Sequence, residues 1–179
     1  MPASETYEAF MLDYAAGNLS RSMQVAASIH RLMSSRGEEA ATLWECVSTA
    51  LMDAQPATRT SGPEQGADRA LSLALDLIHL DYSEIEWKRG LSGVKFAKSP
   101  NSAGQLMRLE PGQGVLSHGH SALEATVVLE GVLDDGNGIY GQGDILLAER
   151  GLKHRPSAYG ARACTCYVAR SPKPFWRLT

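Results

Sequence analysis

One spacing constrains this chain more than any other: Gly112, five residues, His118, one residue, His120, three residues, Glu124, six residues, Gly131. A second run follows it: Gly143, five residues, Glu149-Arg150-Gly151, two residues, His154. In an extended strand, side chains two apart point to the same face, so His118 and His120 can aim at one place. Glu124 lies an even number of positions further on and reaches that place if the chain continues or turns once at Ser121-Ala122. His154 then arrives from a second hairpin, which a barrel brings alongside the first. Three neutral imidazoles and one carboxylate suit one divalent first-row metal ion, zinc first, with iron, manganese and nickel as alternatives.

The rest of the chain divides by periodicity. Across residues 6–53 apolar side chains recur three and four apart: Phe10 and Tyr14; Met23, Ala27, Ile29 and Met33; Leu43, Val47 and Leu51. Breaks at Gly17-Asn18, with Ser20 placed to cap, and at Arg36-Gly37 divide this stretch into three helices. Residues 55–66, QPATRTSGPEQG, collect Pro, Thr, Ser and Gly and predict an exposed linker. Helical spacing returns over 67–79, with Leu71, Leu75 and Ile78 on one face. Three short helices bury little surface, so this fourth one can complete the bundle.

Beyond Asp81 the pattern changes to short alternating runs: 85–88, 94–96, 105–109, 125–129, 145–148 and 165–169. Gly, Asp, Asn and Pro separate them, as in an antiparallel sandwich or barrel. The expected class is therefore α+β, a small N-terminal helical bundle over residues 1–80 followed by an antiparallel β-barrel over 81–179.

Composition excludes some functions. A net charge of −3, with 17 basic residues spread along the chain, gives no footprint for a phosphate backbone, so no direct contact with nucleic acid is expected. No apolar stretch approaches the length needed to cross a bilayer, and the first residues lack a signal-peptide pattern, so the chain is expected to be cytoplasmic. Three cysteines, Cys46, Cys164 and Cys166, are too few for a disulfide framework. Cys164 and Cys166 lie two apart in a predicted strand and share a face. They are either small buried hydrophobes or oxidation targets beside the metal, and their mutual pairing is disfavoured by the geometry of an extended chain.

The two histidine runs match the paired motifs of the cupin superfamily, with Glu149 where that pattern usually has Pro and Ala158 where it often has Asn. Together with residues 12–20 (LDYAAGNLS), His30, residues 128–135 (VLEGVLDD), 140–144 (YGQGD) and Cys164-Thr165-Cys166, they make the chain resemble a ChrR-type anti-sigma factor over most of its length. The resemblance implies a helical domain that sequesters an extracytoplasmic-function sigma factor and a jelly-roll cupin domain that senses singlet oxygen or a related oxidant. It implies metal ligands at His118, His120, Glu124 and His154 and no catalytic residue. In that family the helical domain also holds a zinc ion. Here His30 remains, but Ser34 and Gly37 stand in place of two cysteines and Glu5 in place of a histidine, so no zinc is expected there and apolar packing alone must hold the helices.

The alternatives are a metal-dependent cupin enzyme, such as a small dioxygenase, and a sensor module without a sigma partner. Against an enzyme, the barrel interior offers no general acid or base beyond Glu124, while Glu149 and Lys153 read as solvated loop charges. For a retained partner, an exposed apolar patch around Leu12, Leu19 and Met23 is the expected sign. Cupin barrels often pair through edge strands, which makes a homodimer a further expectation.

Overall fold

A computed structural model describes residues 4–51, 67–78, 85–90, 92–99 and 104–172. Among them the chain forms helices α1 (Ser4–Ala15), α2 (Arg21–Met33), α3 (Ser35–Leu51) and α4 (Ala67–Leu77). The strands that follow are β1 (Lys88–Arg89), β2 (Lys95–Lys98), β3 (Gln105–Leu109), β4 (His118–Gly119), β5 (Glu124–Glu130), β6 (Leu133–Asp134), β7 (Ile139–Tyr140), β8 (Ile145–Ala148), β9 (Lys153–His154), β10 (Ser157–Ala158) and β11 (Cys164–Arg170). Helices precede strands, as the change of period predicts. The expected linker over 55–66 lies outside the described residues, as does His79 at the expected end of α4.

All strand pairs are antiparallel. A six-stranded sheet runs β1-β2-β3-β11-β5-β8, and smaller sheets β10-β6-β7 and β4-β9 complete the sandwich. Alternation along β5 and β11 gives each strand two apolar faces. Val128, Cys164, Cys166 and Val168 point inward, where they pack with Met107, Leu109, Leu133 and Leu146. Ala125, Val127, Leu129, Tyr167 and Ala169 point outward, into a second core shared with Tyr7, Phe10, Met23 and Ile29 of the helices. The bundle thus sits on the back of the large sheet, and α2 is the element that meets it. Phe10 is fully buried in this shared core, and burying a side chain of that size contributes about 2 kcal/mol, which ties the helices to the sheet.

The break between α2 and α3 falls at Ser34, with φ −136° and ψ 127°, and not at Arg36-Gly37. The serine amide donates to the His30 carbonyl at 3.0 Å, while its hydroxyl lies 3.5 Å from the Gly37 amide. Gly37 marks a close approach instead of a break: a Cβ there would lie 2.5 Å from the His30 carbonyl oxygen. Ser20 flanks α2 as expected, but its side chain makes no capping hydrogen bond.

Polar bonds supplement apolar packing in the bundle, which corrects the expectation of packing alone. Buried His30 uses Nδ1 to donate to the Gly143 carbonyl at 2.7 Å, and its Nε2 lies 2.9 Å from the Tyr7 hydroxyl. Arg36 covers the Tyr7 ring at 3.9 Å, and Arg31 bridges Glu38 and Glu45 at 2.7 and 2.5 Å. Gly143 itself has φ +83°, and a Cβ would collide with the Met33 carbonyl. Only glycine satisfies both the turn before β8 and the contact with the end of α2.

Candidate metal centre

Strands β4 and β9 form a two-stranded ribbon in which His118 stands directly opposite His154. The chain then bends at Ser121-Ala122 and enters β5 at Glu124. The Gly151 amide donates to the His120 carbonyl at 2.9 Å, tying the loop before His154 to the second histidine. One ligand atom from each of His118, His120, Glu124 and His154 lies within 4.8 Å of the others. The three rings stand 4.7 to 4.8 Å apart between centroids.

Protonation favours ligation. Burial pushes the pKa of His120 and of His154 below the ordinary imidazole range; for His120 the Glu124 carboxylate opposes this, more weakly. His118 donates Nδ1–H to the Leu116 carbonyl at 2.9 Å, which leaves the lone pair on Nε2. His120 Nε2 and His154 Nε2 face each other at 2.8 Å, and His154 Nδ1 is buried without a hydrogen-bond partner. A buried ring nitrogen without a partner, as at His154 Nδ1, is costly, and three imidazoles and a carboxylate this close together offer lone pairs to a cation. The donor set therefore fits a divalent ion.

Sequence reading missed Arg170. The register pairs it with Glu124 across β11 and β5, and its Nε donates to Glu124 Oε2 at 2.6 Å. The signal was a basic residue closing an apolar run, which has no meaning until the register is known. Beside this pair lies a cavity of about 250 Å³, bordered by His118, Glu124 and Arg170. Its other lining residues are apolar or neutral polar. Lys153 is exposed as expected, whereas Glu149 is exposed but accepts a hydrogen bond from Thr6 and ties α1 to the loop before His154.

Cys164 and Cys166 do share a face, and both are buried, with sulfurs 3.5 Å apart. They do not lie beside the histidines: Cys166 pairs with Val128, four residues along β5 from Glu124, or about 13 Å at the strand rise. The bond from Cys164 and burial raise the Cys166 pKa, which favours the thiol over the nucleophilic thiolate. Of the patch expected around Leu12, Leu19 and Met23, Leu12 is exposed, whereas Met23 is buried and Leu19 is partly buried against the core.

Among known proteins, the chain is 28% identical to the anti-sigma-E factor ChrR of Cereibacter sphaeroides over 184 aligned residues, covering 90% of this chain and 86% of the relative. It superposes on a chain in the crystal structure of Rhodobacter sphaeroides SigE in complex with the anti-sigma ChrR, with a TM-score of 0.73 and 25% identity, over 92% of this chain and 96% of that one. The model of the ChrR cupin-like domain matches residues 76–174, more than half of the chain. With the barrel, the helices on its back and the three-histidine cluster in place, the chain belongs to the ChrR cupin-like family.

Proposed function

We propose that the chain is an anti-sigma factor: its helical part sequesters an extracytoplasmic-function sigma factor, and its barrel holds one divalent ion, zinc first, through His118, His120, Glu124 and His154. One observation carries this reading. The likeness to ChrR runs through the helices as well as the barrel, covering about nine-tenths of the chain, and the solved relative is bound to SigE. A sigma factor as partner places the chain in the cytoplasm, in keeping with the lack of a helix long and apolar enough to cross a membrane among the described residues. Acidic residues on α1 and α3, including Glu5, Glu38 and Glu39, suit a basic partner.

The ion would join β4 and β9 to the start of β5, and so close that end of the barrel. Oxidative damage to a ligand would loosen this end, and Glu149 and Arg170 both link it to the helices: Thr6 bonds to Glu149, and Ser22 Oγ lies 3.5 Å from the Arg170 carbonyl. That route connects an oxidant to release of the sigma factor. The likeness to an anti-sigma factor favours this reading over an enzyme.

A second reading, a sensor without a sigma partner, is favoured by the burial of Met23, which reduces the expected apolar patch to exposed Leu12 and partly buried Leu19. Co-expression with the extracytoplasmic-function sigma factors of the source organism decides between them. The chain is expected to co-purify with one of them under reducing conditions and to release it on exposure to singlet oxygen. No association under reducing conditions sinks the anti-sigma reading.

A further inference from the structure

The cavity of about 250 Å³ beside the histidines has features that sigma-factor regulation does not use. Its walls are mainly apolar, with Phe96, Met107, Val115 and Val168, and its neutral polar groups are Gln105 and Thr126. Glu124 and Arg170 are the only residues with full charges among its lining. A divalent ion held by neutral imidazoles and one carboxylate keeps one positive charge, and Arg170 adds another. Arg170 lies at the solvent edge, its side chain 63% exposed, so water screens part of this charge, and the remaining excess favours an anion entering from solvent.

Arg170 is prepared for that anion. Its Nε is occupied by Glu124 at 2.6 Å, but its two terminal nitrogens have no partner among the described residues. They present a planar set of N–H donors that matches a carboxylate. Among the described residues no second cation lines the cavity, so a dicarboxylate would leave one charge unpaired.

We propose that this cavity binds a small monocarboxylate with a short apolar tail, its carboxylate at the Arg170 and metal end and its tail among Phe96, Met107 and Val168. The proposal rests on the reading of His118, His120, Glu124 and His154 as metal ligands. Occupancy would bear on the helices, because Arg170 closes β11, and Tyr167 of the same strand donates to the Ser22 carbonyl of α2 at 3.4 Å.

The test uses the full chain loaded with cobalt(II), whose visible absorption reports a change of coordination, together with calorimetry. Butyrate is expected to bind about fifteenfold tighter than acetate, or roughly fourfold for each buried methylene. Butyramide, with a neutral head, is expected to bind at least about tenfold more weakly than butyrate. Arg170→Gln should weaken butyrate by about tenfold and Arg170→Lys should restore part of the loss. Because Arg170 also holds Glu124, Met107→Trp serves as a second variant: filling the cavity should abolish butyrate binding at unchanged cobalt content.

Equal affinity for acetate and butyrate, or binding indifferent to both Arg170→Gln and Met107→Trp, overturns the proposal. A chain that takes up no cobalt overturns it together with the metal reading. A cobalt-loaded chain that ignores butyrate overturns this proposal alone, and co-purification of a sigma factor reports separately on the anti-sigma reading.

Discussion

His30 in the helical part and His120 and His154 in the barrel look alike by burial, at 2%, 9% and 4% exposure. In all three, burial pushes the pKa below the ordinary imidazole range. Their bonding differs. His30 has a partner on each nitrogen, the Gly143 carbonyl and the Tyr7 hydroxyl. In the barrel two Nε2 atoms face each other and His154 Nδ1 has no partner. Burial and a lowered pKa are therefore common to both places, whereas the unpartnered Nδ1 of His154 sets the barrel cluster apart.

The strongest way to break this comparison is with metal. Zinc at a thousandfold excess over its dissociation constant should add about 4 kcal/mol of stability. For a chain of this size that corresponds to a rise of roughly 10 °C in Tm. His154→Ala should remove the rise, measured by thermal unfolding with and without zinc; an undiminished rise would show that the ion sits elsewhere. His30→Ala is the converse test. It should cost about 3 kcal/mol in urea unfolding, because it strands a buried carbonyl and hydroxyl, yet leave the zinc-induced rise intact.

Acid sharpens the contrast further. Above pH 6.5, the ordinary histidine value, His30 is neutral in both folded and unfolded chains and its contribution to stability is complete. As pH falls below 6.5 the unfolded chain takes up the proton first, so stability is lost until the lower folded value is passed, by at most about 1.4 kcal/mol per pH unit. His120 and His154 add losses of the same sign in the metal-free chain. Metal-free His30→Gln should therefore show a shallower acid slope than the parent chain, by urea unfolding across pH 5 to 7, and equal slopes would remove His30 from the account. The smallest effect is expected at Glu38→Gln, which breaks one partly exposed ion pair with Arg31 and should cost no more than about 0.5 kcal/mol.

The boundary between helical and strand periods was legible in the residues, because period depends only on local backbone geometry. So was the set of four side chains that meet, since their spacing in and between strands forces them toward one end of a barrel. Short strands such as β6, β7 and β10 were not legible, because two residues carry no period. The turn at Ser34 was misread at Arg36-Gly37, since a glycine that permits close approach looks the same in sequence as one that ends a helix.

By itself, then, the sequence determined which four side chains meet at one end of the barrel and the order of helices before strands. Tertiary structure alone decided that Arg170 holds Glu124, that Cys166 sits about 13 Å along the strand from that carboxylate, and that His30 bonds to the barrel through Gly143. Each of these joins residues at least 38 positions apart in the chain. Such pairings follow from strand register and from how α2 settles on the sheet, which no local pattern encodes.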